Sequence, residues 1–385
     1  MKRVLFFTGT RADWGLLLPL VNRFKADKSY EVSILATGSH FGNEGTLNEI
    51  IHDGFNIDYP VDLNLQQNPA AAAMGLGLEK FDQVLQKNQP DLAFILGDRY
   101  EALAFAIACQ FNKIPVAHLH GGEITEGAID DAFRHSITKL SFFHFATSEG
   151  YAKRIARLGE DPGRIFNVGA LGVENARQTK LKSKELLEAE LNIKLREKFV
   201  LVTFHPATLE LNDPALEIQT LLAALLETLK RHSGLQLIFT MPNVDPGSGQ
   251  VKAALFDFVK MNPWTSCVFD SLGRVNYLSL LALSEAVVGN SSSGIIEAPV
   301  FKVPTLNIGS RQTGREKAES IVDVQMDLNA IVEKLSWMLE QKGQGHFKNT
   351  KSLFGEGNAS AEIKTILDSI SLSRDLRKRF YEKST

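Results

Sequence analysis

The sequence predicts an α/β protein built from two doubly wound, Rossmann-like domains facing a central cleft. Three observations carry that expectation. The chain has 385 residues, more than one ordinary hydrophobic core organises, so two domains are the natural division. Short, continuously apolar runs alternate with longer segments of helical period almost end to end, the pattern of parallel strands covered on both faces. The alternation pauses once, over 175–197, where Lys and Glu are dense and no strand pattern exists, and then resumes.

In the first half, strands are expected at Val4–Phe7, Val32–Ala36, Leu92–Leu96, Val116–Leu119 and Phe143–Ala146. Helical periods lie between them near Trp14–Lys25, Gly42–His52, Ala72–Lys87, Arg99–Phe111 and Ile129–Leu140. The segment 175–197 suits a linker or a surface helix. The second half starts with Phe199–Phe204 and continues through Leu235–Thr240, Cys267–Phe269, Ala286–Val288 and Thr305–Ile308. Its clearest helix is Pro214–His232, where Asp213 can cap and Pro214 takes the first position. The Pro/Gly clusters at 161–163 and 242–249 read as loops.

Composition narrows the function classes. An apolar content of 44% with 23% charged residues describes a soluble globular protein. The net charge of −3 offers no polyanion-binding surface and argues against nucleic acid as a partner. After Met1-Lys2-Arg3 the apolar stretch ends at Thr8, and Arg11 and Asp13 follow, so no secretory h-region is expected. The run Leu103–Cys109 is far too short to cross a bilayer. Cys109 and Cys267 lie apart in apolar surroundings and read as buried free thiols, which fits a cytoplasmic protein.

In doubly wound sheets ligands bind beyond the carboxyl ends of strands, so the residues there are the ones to inspect. In the first half these are Thr8–Arg11, Thr37–His40, Gly97–Arg99 and His120–Glu123; in the second, His205-Pro206, Pro242–Asp245, Asn290–Gly294 and Gly309–Gln312. The richest stretch is His118-Leu119-His120-Gly121-Gly122-Glu123, followed by Asp130-Asp131-Ala132-Phe133-Arg134-His135. Packing does not require so many ionisable groups in so few residues, whereas acid–base catalysis does. Zinc would need further ligands at recognisable spacing, which Asp130, Asp131 and His135 could supply, but acid–base use is preferred to a metal. His118 points to the opposite sheet face from His120 and reads as structural. A helix opening at Asn290-Ser291-Ser292-Ser293-Gly294 could aim backbone N–H groups at a diphosphate, with Glu297 one turn on for a ribose; an ordinary serine-capped helix fits equally well. A single arginine after a strand is most often a surface ion-pair former, but Arg11, Arg99, His205 and Arg311 occupy equivalent strand ends and read together as phosphate partners. No Walker pattern occurs, and Gly75-Leu76-Gly77 lies in a helical stretch, not at a strand-to-helix turn.

The motifs GDR at 97–99, HLHGGE at 118–123, IDDAFRHSITK at 129–139, FHP at 204–206, PNVDPGS at 242–248, VGNSSSG at 288–294 and GSRQTGRE at 309–316 together resemble the hydrolysing UDP-N-acetylglucosamine 2-epimerases, the bacterial sialic acid biosynthesis type among them. The resemblance covers about residues 1–325. It implies a GT-B architecture, with residues 1–172 as an N-terminal Rossmann-like domain carrying the acid–base groups and 173–361 as a UDP-binding domain. A final helix over about 362–385 would pack back on the first domain.

Family members convert UDP-N-acetylglucosamine and water to UDP and N-acetylmannosamine through 2-acetamidoglucal. The hydrogen on carbon 2 has no adjacent carbonyl and becomes acidic only as the carbon 1–oxygen bond lengthens, so departure of UDP must be assisted. By matching motif positions, the catalytic residues would be Asp98, Glu123, Asp130, Asp131 and His205, with Glu123 the first choice for direct proton transfer. UDP would be held by Arg11, Arg99, His205, Asn243, Ser271, Ser291, Ser292, Glu297 and Arg311, and the sugar by His120 and Arg134. No metal and no cofactor is expected. Expected partners are the UDP-sugar substrate and UDP product, with no nucleic acid and no membrane, and the expected assembly is a homo-oligomer, dimer or tetramer. Alternatives are the same chemistry on a UDP-2,4-diacetamido-2,4,6-trideoxy sugar of the legionaminic acid route, a GT-B glycosyltransferase, a non-hydrolysing epimerase, or a non-catalytic nucleotide-sugar sensor.

Overall fold

The computed structural model describes residues 1–42, 46–206, 212–242 and 247–382. Contacts divide the chain into unit 1, Met1–Glu123, Asp130–Asn175 and Phe354–Thr385, and unit 2, Ile124–Ile129 and Ala176–Leu353.

Unit 1 is a sheet of seven parallel strands, β1 Lys2–Thr8, β2 Tyr30–Ala36, β3 Tyr59–Pro60, β4 Leu92–Leu96, β5 Val116–Leu119, β6 Phe143–Ala146 and β7 Ile165–Asn167. Their order is β3-β2-β1-β4-β5-β6-β7, so the winding reverses between β1 and β4. In register, Val4 lies between Val32 and Leu92. Alternate residues of β1 feed two cores: Val4 and Phe6 pack on one face, Leu5 and Phe7 on the other. Phe6 stacks on Phe94 at 4.5 Å and Phe7 on Phe105 at 4.8 Å. Each such ring contributes roughly 1.5–3 kcal/mol by burial, and with both faces covered the strand is continuously apolar from Val4 to Phe7 rather than alternating.

The C-terminal segment closes unit 1. The helix Ala359–Ser369 lies along the helix Arg11–Lys25. Buried Glu174 accepts hydrogen bonds from both the backbone and the hydroxyl of Ser360, at 2.7 and 2.5 Å. The helix stops at Ser369, not near 385 as expected: serines at 369, 371 and 373 compete for backbone hydrogen bonds and disfavour helix interiors. Beyond it an irregular tail is pinned by Arg374 to Gln89 and by Lys378 to Glu160.

Unit 2 has six parallel strands, β8 Lys198–Thr203, β9 Leu235–Thr240, β10 Ser266–Phe269, β11 Ala286–Gly289, β12 Thr305–Ile308 and β13 Ile321–Val324, ordered β10-β9-β8-β11-β12-β13. Its winding reverses between β8 and β11. The helix Pro214–Arg231 starts as the sequence predicts, with Pro214 in the first turn and the Asp213 carboxylate accepting from the Ala215 N–H at 2.9 Å. Gly289 closes β11 at φ 127°, and a Cβ there would lie 1.9 Å from the Thr203 carbonyl oxygen; only glycine lets β8 and β11 meet this closely.

β3, β7 and β13 were not expected. All three are short edge strands, two of them carrying polar residues, so none produces a buried apolar run. The segment 175–197 holds the end of one helix, Leu171–Gln178, and a second, Lys184–Leu191, capped by Ser183. Cys109 is buried and Cys267 partly buried, both free. Among the described residues no helix is long and apolar enough to cross a membrane.

Candidate active site

In unit 1 the chain leaves β1 through Gly9 and enters the helix Arg11–Lys25 at Thr10. The Thr10 hydroxyl oxygen accepts from the Asp13 N–H at 3.1 Å, and the Asp13 carboxylate accepts from the Gly9 N–H at 3.2 Å, a reciprocal cap. Burial raises the Asp13 carboxyl to about 6 against the opposing charge of Arg99. Arg11, one-third exposed, lies 3.9 Å from Glu49. After β4, Arg99 forks onto fully buried Glu101, donating through Nε at 3.2 Å and Nη2 at 3.1 Å.

The end of β5 is tightly constrained. His120 has φ 64°, a left-handed conformation that costs a non-glycine residue about 1 kcal/mol or more. Two glycines follow because side chains would collide: a Cβ on Gly121 would meet His118 Nδ1 at 2.9 Å, and one on Gly122, at φ 76°, the Tyr151 carbonyl oxygen at 2.6 Å. The turn delivers Glu123 into the interior at 2% exposure. Its Oε1 accepts from Thr147 Oγ1 at 3.0 Å and lies 2.9 Å from His120 Nδ1. A carboxylate only accepts, so Nδ1 carries the proton in this pair. His120 Nε2 is buried and has no hydrogen-bond partner among the described residues, an omission that costs roughly 1–3 kcal/mol in a folded protein.

Arg134, on the helix Asp130–Leu140, gathers the acids. It is 1% exposed. Its Nη1 donates to the Glu123 carbonyl at 3.0 Å and to Asp131 Oδ1 at 3.1 Å, and its Nη2 pairs with Asp98. Burial works against its charge, but Asp98 and Glu123 outweigh this and hold the guanidinium above its ordinary pKa. Asp130 opens the same helix and is half-buried. His118 is structural, with Nε2 against the Gly97 carbonyl at 2.8 Å and Nδ1 against Thr138 at 3.2 Å; burial pushes it down to about 3.

In unit 2 the switch point is clamped by Asn290. Its side chain accepts from the His205 N–H at 2.7 Å and donates to the His205 carbonyl at 2.8 Å. The Asn290 carbonyl in turn accepts from Arg311 Nη1 at 3.0 Å and Gln312 Nε2 at 2.8 Å. Burial first, and then the Arg311 charge, push the His205 imidazole well below its usual pKa. Both effects disfavour the cationic form of His205 and favour a neutral, hydrogen-bonding imidazole. Ser291 and Ser292 precede a helix of only one turn, Ser293–Ile296, which passes into a 3-10 turn at Ala298-Pro299; so short a helix has little dipole to offer an anion. Tyr277 donates to Ser293 at 2.8 Å. Glu297 is half-buried at the end of that turn. Ser271 is exposed after β10, its Oγ accepting from the Gly273 N–H at 3.2 Å. Residues 124–129 pack within this unit: the Glu126 N–H donates to the Thr313 carbonyl at 3.2 Å, and a Cβ on Gly127 would lie 2.9 Å from Arg311 Cα. Asn243 lies outside the described residues.

Sequence reasoning missed Asp13, Glu101, Thr147 and Asn290 as supporting groups. Asp13 carried a readable signal, the Thr10-x-x-Asp13 cap spacing. The others are tied to the site by contacts distant in sequence or by burial alone. Among the described residues no group of three or more His, Cys, Asp or Glu is placed to hold a metal ion.

Two Rossmann-like sheets in one chain, each wound outward from a switch point, define the GT-B class, and the acid–base cluster after β5 marks an enzyme of that class. The chain belongs to the UDP-N-acetylglucosamine 2-epimerase family, whose profile matches residues 22–368. It is 38% identical to the GDP/UDP-N,N'-diacetylbacillosamine 2-epimerase (hydrolyzing) of Campylobacter jejuni, over 99% of both chains. It is 35% identical to the UDP-N,N'-diacetylbacillosamine 2-epimerase (hydrolyzing) of Legionella pneumophila, over 97% of both. The UDP-GlcNAc 2-epimerase from Neisseria meningitidis, solved bound to UDP-GlcNAc, superposes with a TM-score of 0.81 at 19% identity, covering 96% of this chain and 100% of that one; this likeness shows a shared fold. The protein is an epimerase of this family.

Proposed function

We propose that this protein hydrolyses and epimerises a UDP-2,4-diacetamido-2,4,6-trideoxyhexose of the N,N'-diacetylbacillosamine type, releasing UDP and the free 2-epimeric sugar. The observation that carries the chemistry is the gathering of Asp98, Asp131 and Glu123 around one buried arginine beside His120. Nucleotide recognition needs no such concentration of acids, whereas moving protons at two faces of a sugar does. The choice of sugar rests on the Campylobacter and Legionella relatives, whose names specify it.

As the carbon 1–oxygen bond lengthens, Arg11, Arg99 and Arg311 offset charge developing on UDP, and neutral His205 donates a hydrogen bond. Asn243, Ser271, Ser291, Ser292 and Glu297 complete the proposed nucleotide contacts. A base removes the carbon 2 proton, leaving a 2-acetamidoglycal. Water then adds at carbon 1 while an acid, Asp98, Asp130 or Asp131, protonates carbon 2 from the opposite face and inverts it. The second reading, the same reaction on UDP-N-acetylglucosamine to give N-acetylmannosamine, is supported by the family's name.

Incubating the protein with each UDP-sugar alone in deuterated water separates these readings. The expected result is free UDP with a 2-deuterated free sugar, formed faster from the diacetamido substrate. Faster turnover of UDP-N-acetylglucosamine reverses the choice of sugar. UDP release that requires an added acceptor, or label appearing only in UDP-sugars, removes the hydrolysing reading altogether.

A further inference from the structure

We propose that His120, through Nε2, is the base that removes the carbon 2 proton, and that Glu123 is its positioning residue. This rests on the hydrolysing-epimerase reading and deepens it. Three observations lead here. Thr147 and His120 Nδ1 converge on the same Glu123 oxygen, at 3.0 and 2.9 Å, which fixes the carboxylate, the ring plane and the tautomer together. With the proton on Nδ1, Nε2 presents a lone pair. That nitrogen is buried and lacks a hydrogen-bond partner among the described residues. The contrast with other buried histidines of unit 1 is direct: His40 engages Thr8 and Thr46, and His118 engages Gly97 and Thr138, each through both nitrogens. His144 also leaves Nδ1 unpaired, but it sits within β6, not at a strand's carboxyl end.

The third observation is the backbone. The left-handed turn at His120, φ 64°, is held by Gly121 and Gly122, neither of which has room for a side chain. Strain of this kind persists where the surroundings over-determine it, commonly at reacting groups. Imidazole is also a stronger base than a free carboxylate by about two pKa units, which suits abstraction from carbon. In the step, the carbon 2–hydrogen bond breaks and an Nε2–hydrogen bond forms. The released electron pair becomes the carbon 1–carbon 2 double bond, and the carbon 1–oxygen pair leaves with UDP. Glu123 stays ionised against the imidazolium, as the carboxylate of a hydrolase triad does.

The test splits the reaction in two. His120→Gln should slow UDP release from the UDP-sugar by about 10²–10⁴-fold. UDP affinity should stay within about twofold, and hydration of the corresponding 2-acetamidoglycal in the presence of UDP within about threefold, because the opposite face uses a different acid. Thr147→Val, which removes only the hydroxyl behind Glu123, should slow UDP release by roughly tenfold and leave glycal hydration alone. UDP release near the wild-type rate in His120→Gln would overturn the assignment. So would parallel losses in both half-reactions, the mark of a ring that only holds the fold. If wild-type protein releases UDP from no UDP-2-acetamido sugar, the proposed function fails instead, and the two outcomes are told apart.

Discussion

Replacing Arg134 tests whether one cation organises the acid cluster. In Arg134→Met the aliphatic volume is kept and the fork is lost. The Glu123 carbonyl, buried, then loses a hydrogen bond from a charged donor, a cost of roughly 1–3 kcal/mol. Asp98 and Asp131 lose their shared partner, but each side chain is 25% exposed. Water recovers part of that loss, which falls below the roughly 3–5 kcal/mol of a fully buried pair. Added apolar burial of the methionine offsets about 1 kcal/mol, leaving a net destabilisation of about 2–4 kcal/mol. Arg134→Lys keeps the charge, yet one ammonium cannot span three acceptors, so about 1–2 kcal/mol is expected. Trp14, at 1% exposure, reports on unit 1, whereas Trp264 and Trp337 of unit 2 are exposed by 85% and 39%. Urea unfolding followed through Trp14 fluorescence should shift its midpoint down by roughly 1–2 M in Arg134→Met, given a slope of a few kcal/mol per molar. Turnover should fall by at least about 10²-fold under conditions where the variant is fully folded, since the acids lose their common anchor. An unmoved midpoint with turnover retained would show that Arg134 does not hold the cluster.

Two further outcomes follow from other parts of the chain. Gly289→Ala puts a methyl group 1.9 Å from the Thr203 carbonyl oxygen and should cost more than about 3 kcal/mol; soluble expression with an unchanged thermal midpoint would refute the close approach of β8 and β11. Burial alone would raise the Glu160 carboxyl, but hydrogen bonds from His144, Lys139 and Lys378 outweigh it and hold the group at about 2, against an ordinary 4.5. Because the folded value is the lower one, the carboxylate stabilises unit 1 above pH 4.5, and that contribution, roughly 3 kcal/mol, is lost as pH falls from 4.5 towards 2. Glu160→Gln should flatten stability against pH across that window in acid titrations of unfolding, and an unchanged slope would count against the network.

What the sequence disclosed followed how far each signal reaches along the chain. β1 was readable because both of its faces are buried, and the helix at Pro214 because its cap is local. The edge strands β3, β7 and β13 were silent, since a strand half exposed and two to four residues long looks like loop. The acid cluster was legible as a cluster because His120 and Glu123 lie three residues apart, and Asp131 and Arg134 lie one helical turn apart. Which atoms meet was not legible. That Thr147 backs Glu123 and that Asn290 clamps His205 are consequences of strand order, which no local pattern encodes, and that Glu101 beside Arg99 is fully buried is equally invisible in the sequence. The neutral state of His205 has the same origin: residue type and position suggested a cation, but only the enclosed setting beside Arg311 decides its charge. The serine-rich turn shows the reverse case. Pro299 stood in plain view after Ser293–Ile296, and a proline so close to a helix start limits the helix to a single turn unless it falls in the first one. A local signal was thus present and bore directly on the anion-binding expectation. For a chain of this fold, motif residues identify the reaction type, whereas the protonation states that assign their roles come from burial and partners that must be seen in three dimensions.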